Sequence, residues 1–268
     1  MFKSTVIMNK LLVSFFLFVF FSCSHSIEGP EKNEDLSGSK EYVKLIETSH
    51  SKDDFLKKDN IQFDIELFFG GKERLRGKMT LATNSSRGII ETKNGEKIIF
   101  KNDTTFYSPG MNKTKVRFDA YTWSYFFLFP FKLSDEGTNW TEMKYSEMNG
   151  KLYSVQGLSF DKGIGDAPDD WYQVYSDTST NKIQVAAYIV TANKSKDEAE
   201  LDPHAIAYYK YQEIEGIPLS TSWKFFGWNS SQGLTDTLGY ANLSNLKFIA
   251  DNDSMYVVPL NFEKIQGS

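Results

Sequence analysis

Every second side chain from Ile61 to Phe69 is apolar: Ile61, Phe63, Ile65, Leu67 and Phe69 are separated by Gln62, Asp64 and Glu66. Period two places the apolar set on one face of a strand and the polar set on the other. After Gly70-Gly71 the pattern resumes over Glu73–Thr83, where Leu75, Met79 and Leu81 alternate with Arg74, Arg76, Lys78 and Thr80. Short runs follow at Gly88–Thr92, Lys97–Lys101 and Thr105–Ser108, with Asn94-Gly95 and Asn102-Asp103 between them as turns. Strands joined in this way form an antiparallel meander. A second set of strands is predicted at Trp140–Met148, Leu152–Phe160, Asp170–Ser176, Lys182–Thr191, His204–Ile214, Pro218–Gly227 and Thr237–Phe248. Helical spacing occurs in two places. One is Lys40–Lys58, with Tyr42, Leu45, Ile46 and Ser49 on one face; the other is Lys113–Phe129, which Pro130 must limit.

The segment Tyr121–Leu133, YTWSYFFLFPFKL, has nine large apolar or aromatic residues among thirteen. On a helix its rings cover all sides, so it cannot lie on a water-facing surface. It is too short to span a bilayer, which takes about 20 apolar residues. A sheet wrapped round it is the expected arrangement. The fold class read from the pattern is mainly β (α+β), an open antiparallel half-barrel around two or three helices.

The first residues change the picture of where such a domain works. Lys3 and Lys10 precede an apolar run, Leu11 to Phe21, followed by Ser22-Cys23-Ser24. This is the layout of a secretory signal over residues 1–22. The chain's only cysteine sits where a signal peptidase would cut. In bacterial lipoproteins that cysteine becomes the lipidated first residue. Phe20 and Phe21 stand where an aliphatic residue three positions back and a small residue two back are usual. We carry forward lipidation at Cys23, ahead of plain secretion or a retained membrane anchor. Residues 23–39 then form a polar, acidic tether, and residues 40–268 form one domain whose stability comes from a core and not from disulfides.

Charge and candidate chemistry narrow the function. A net charge of −5 gives no electrostatic footprint for nucleic acid. The eight Asn-x-Ser/Thr sequons are what a chain rich in Asn, Ser, Thr and Lys produces by chance. His25, His50 and His204 are scattered, so neither a zinc site nor a histidine-based triad is expected, and His50 is read as a surface or boundary residue. The loop Asp161–Asp170, DKGIGDAPDD, is dense in carboxylates but lacks the spacing and closing glutamate of an EF-hand. It is read as a solvated turn, with no metal, cofactor or catalytic residue assigned. Trp171, Trp223 and Trp228 would suit a sugar-binding enzyme if exposed, yet they fall at strand positions that packing explains.

Several stretches resemble a family of uncharacterised envelope lipoproteins related to the LolA/LolB-like lipoprotein carriers. They are Trp123–Leu133, Asp169-Asp170-Trp171-Tyr172, Ala187–Thr191, Gly216–Trp223 and Gly239–Phe248. The resemblance implies a LolA-like incomplete barrel with an apolar interior able to hold acyl chains. Its lining candidates are Trp123, Tyr125, Phe126, Phe129 and Phe131. The expected protein is a monomeric, non-catalytic lipoprotein, anchored at Cys23 in the envelope, with the outer membrane as its site and a lipid or acylated molecule as its ligand. The same rings can instead fill the interior as a dry core, which would make the domain a structural or interaction module. A carbohydrate-active enzyme using the acidic loop is the third reading.

Overall fold

The computed structural model describes residues 39–164, 169–191 and 194–266. The signal, Cys23 and all but the end of the tether lie outside the described residues, as does part of the acidic loop. In chain order the elements are α1 (Ser39–Ser49), α2 (Lys52–Leu56), β1 (Asn60–Phe69), β2 (Lys72–Ala82), β3 (Arg87–Thr92), β4 (Lys97–Lys101), β5 (Thr104–Tyr107) and α3 (Lys113–Leu128). A 3-10 turn, Phe129–Phe131, continues α3. Then come β6 (Thr138–Trp140), β7 (Lys144–Met148), β8 (Lys151–Phe160), β9 (Tyr172–Asp177), β10 (Ile183–Tyr188), α4 (Lys196–Glu200), β11 (His204–Ile214), β12 (Ile217–Asn229), β13 (Gly233–Ile249) and β14 (Glu263–Ile265).

The strands form one sheet in the order β14-β5-β4-β3-β2-β1-β13-β12-β11-β10-β9-β8-β6, with β7 also on β8. Two antiparallel meanders are joined where β13 returns to pair with β1, Ile65 opposite Leu243 and Leu67 opposite Ala241. β14 stands at one edge and β6 with β7 at the other, so the sheet is open. Tight turns set the registers. At Asn149-Gly150 both residues have positive φ, 51° and 77°, which matches the twist of the flanking strands.

The alternation in β1 translates directly into burial. Ile61, Phe63, Ile65 and Leu67 are fully buried on the concave face, while Gln62 donates to Thr80 and Glu66 pairs with Arg76 on the other. Each such side chain removed from water contributes about 1.5–3 kcal/mol. A smaller cluster forms on the convex face, where Phe226, Trp228 and Leu234 of the β12–β13 hairpin pack on Val155, Tyr175, Val185 and the small Ala187, Ala205 and Ala207. Gly233 is required there, because a Cβ would lie 2.4 Å from Met148 Cγ.

Three expectations are corrected. Lys40–Lys58 is not one helix: Ser51 adopts φ 55°, and the chain turns so that Phe55 of α2 stacks on Phe131 at 3.8 Å. His50, at this break, is 0% exposed and not a surface residue. Its Nε2 accepts from the Ile183 N–H at 3.0 Å, and burial, helped by Lys182, lowers its pKa to about 3, so it sits neutral in the core. Trp140–Met148 is two strands, because the chain leaves the ladder at Thr141, whose hydroxyl oxygen accepts from the Gly157 N–H and whose carbonyl accepts from Gln156. The strand β14 and the helix α4 were not anticipated.

Candidate ligand site

The segment Lys113–Leu133 crosses the concave face. Asn112 caps α3 by accepting from the Lys115 N–H at 3.0 Å. The first half of the helix is pinned by polar groups. Asp119, 3% exposed, binds the Arg74 guanidinium at 2.7 and 3.0 Å and accepts from Trp123 Nε1 at 2.7 Å. Burial pushes the Asp119 carboxyl above its usual range despite Arg74, which pulls it down. Tyr121 donates to the Asn102 carbonyl at 3.0 Å, and Arg117 to that of Asp103 at 3.1 Å.

The second half is held chiefly by rings. Phe127 stacks on Phe63 at 4.3 Å, Phe126 lies 5.0 Å from Tyr188 and Phe129 lies 5.1 Å from Tyr172. Tyr208 donates to the Phe126 carbonyl at 3.0 Å, joining β11 to the helix end. Pro130 is tolerated in the 3-10 turn because the lost N–H comes at the turn's start.

Of the five residues proposed from sequence as a lining, Trp123, Phe126, Phe129 and Phe131 are buried and Tyr125 is half-buried. They do not converge on one space. Trp123 and Phe126 meet Phe225 at 5.9 Å each, Tyr125 and Phe129 meet Tyr172, and Phe131 faces Phe55 and His50. Beneath Pro130 and Phe131 lies a void of about 10 Å³ against Phe127, Tyr208, Leu219 and Trp223. Among the described residues the Trp223 indole N–H is buried without a partner, as is the Ser124 hydroxyl on α3. Trp223, Tyr208 and Leu219 were missed as lining candidates; their only sequence signal is the alternation within their strands. Burial pushes the phenols of Tyr172, Tyr188, Tyr208 and Tyr211 up.

Of the acidic loop, Asp170 accepts from the Thr191 N–H at 2.8 Å and hydroxyl at 2.7 Å, and Asp161 accepts from Asn139 at 2.7 Å. Among the described residues no group of His, Cys, Asp and Glu is arranged to hold a metal, and no helix is long and apolar enough to cross a membrane. Trp223 is core and not a sugar platform.

An open antiparallel sheet curled round a single aromatic helix, with two short helices against its inner face, defines a half-barrel. It is the fold of the LolA superfamily. A LolA superfamily protein from Nitrosomonas europaea matches with TM-score 0.52 and 12% identity over 79% of this chain and 97% of its own. A DUF1329 family protein from Desulfovibrio piger matches with TM-score 0.54 and 13% identity over 82% and 97%. No protein-family model and no curated protein matches the sequence.

Proposed function

We propose that the protein is a monomeric envelope lipoprotein, anchored through Cys23 in the outer membrane, whose half-barrel takes up the acyl part of a lipid or lipoprotein. The step is burial of a chain from water, with no covalent chemistry. The observation that carries this reading is the contrast within Lys113–Leu133. The first half is fixed by directional bonds, from Arg74 and Trp123 to Asp119 and from Tyr121 to the Asn102 carbonyl, whereas Phe126–Phe131 is held mainly by contacts that any hydrocarbon can replace. The void under Pro130, with the unpartnered Trp223 N–H beside it, is where an incoming chain would begin to displace rings. The LolA-like fold agrees with this use.

A second reading has its own observation. The rings of Phe126, Phe127, Phe129 and Phe131 are 1–5% exposed and the void would hold about one water molecule, as in a finished core. On that reading the domain is an interaction module. The two separate in one experiment. The chain is incubated with a photoreactive fatty acid, irradiated and digested. Adducts on Phe131, Leu219 or Trp223 support uptake; labelling confined to exposed residues supports the filled module.

A further inference from the structure

Away from the apolar interior, the exit of α2, the β2–β3 turn and the β4–β5 turn enclose a surface cleft of about 430 Å³, within the size range of small-molecule sites. Its lining is polar, and internal pairing leaves it rich in donors. The Asp251 carboxylate pairs with Arg87 at 2.5 Å, and one oxygen of Asp59 accepts from the Asp251 N–H at 3.0 Å. Asn84 uses its side-chain oxygen to accept from the N–H and hydroxyl of Ser86, which leaves its NH₂ group as the remaining donor. The carbonyls of Ser86 and Asn102 are occupied by the Asn102 N–H and the Tyr121 hydroxyl. Lys101, at the rim, has no ion-pair partner among the described residues, and the Asn102 amide has no hydrogen bond among them.

With Asp251 paired to Arg87 and Lys58 turned to Glu215, the Lys101 ammonium and the two amides are the donors left over among the described residues, an arrangement complementary to an anionic oxygen group. We propose that it binds a phosphate-bearing polar group of about glycerophosphate size, with Lys101 and the amides of Asn84 and Asn102 as the contacting donors. A bare phosphate would leave most of the volume empty. Lys132, which follows the 3-10 turn, donates to Ser85 Oγ of the β2–β3 turn at 2.9 Å. The inference does not depend on acyl binding, since the contacting groups lie outside the ring-filled face.

The test is calorimetric titration of the full chain in a neutral detergent with glycerol 3-phosphate, inorganic phosphate and glycerol, and then with micelles doped with phosphatidylglycerol. Glycerol 3-phosphate is expected to bind with unit stoichiometry and glycerol not at all. Lys101→Gln and Asn84→Asp should each weaken binding by about tenfold or more, corresponding to loss of one charge-assisted hydrogen bond. Asn84→Asp keeps the oxygen that Ser86 needs, so the turn survives. Lys144→Gln, on β7, is the control and should change nothing. Preference for glycerol 3-phosphate and phosphatidylglycerol over inorganic phosphate assigns the site to a lipid headgroup; equal binding of inorganic phosphate assigns it to free phosphate. Absence of binding by both phosphate compounds, or unchanged binding in the two cleft variants, overturns the proposal. Because glycerol 3-phosphate has no acyl chain, neither outcome bears on the interior.

Discussion

Asp119 and Phe126, one in each half of Lys113–Leu133, are equally buried at 3% exposure and differently held. Around Asp119 the helix is secured by an ion pair and an indole hydrogen bond whose geometry admits few substitutes. From Phe126 to Phe131 it is secured by rings whose contacts are non-directional. One chain segment thus contains a fixed root and an exchangeable tip. Burial alone does not reveal which part of a core is able to yield; the kind of contact does.

The most damaging way to break this contrast is to put a charge among the rings. Phe126→Asp places an unpaired carboxylate against Tyr188 and Phe225 and should cost more than about 4 kcal/mol, seen as loss of the cooperative melting transition. Phe127→Ala removes the ring stacked on Phe63 and should cost about 3–5 kcal/mol, with part of the loss recovered when a medium-chain alcohol fills the space. Asp119→Ala strands the Arg74 guanidinium and the Trp123 N–H and should cost about 2–4 kcal/mol. No alcohol should recover it. Melting curves with and without the additive separate the two behaviours.

A smaller effect concerns pH. His50 has its pKa lowered in the fold from 6.5 to about 3, so the unfolded chain binds a proton that the folded chain resists. Its contribution is complete above pH 6.5 and is lost as pH falls toward 3. Asp119, whose carboxyl is raised, acts in the opposite sense at the acid end. The diagnostic quantity is therefore the difference between the parent chain and His50→Gln, whose amide oxygen is still able to accept from Ile183. The stability gap between them should vary with pH across that window; a constant gap would show that His50 does not titrate as described.

Much of the fold was legible because alternation and turn chemistry act locally. Ile61–Leu67, Asn94-Gly95 and Asn149-Gly150 each specify their own conformation within a few residues. The places that were not legible are those decided at a distance. His50 reads as polar and peripheral until Ile183, far along the chain, supplies the N–H that makes its burial tolerable. The helix break at Ser51 serves the stacking of Phe55 on Phe131, and the split at Thr141 serves Gly157 and Gln156. The greasy segment was evident as the centre of the domain, but its rings point to several sides, and Tyr208, Leu219 and Trp223 join them only through the sheet's curvature. The polar cleft was invisible, since its lining comes from two turns and a helix exit that are unrelated in sequence.

The central claim is that the ring-packed half gives way to hydrocarbon. Native mass spectrometry of the chain purified gently from its own envelope tests it most directly. The account predicts a stoichiometric lipid adduct that solvent extraction removes and that re-forms on adding the extracted lipid. A single adduct-free mass, unchanged when the envelope's lipids are restored, would contradict it and leave Phe126–Phe131 as an ordinary core.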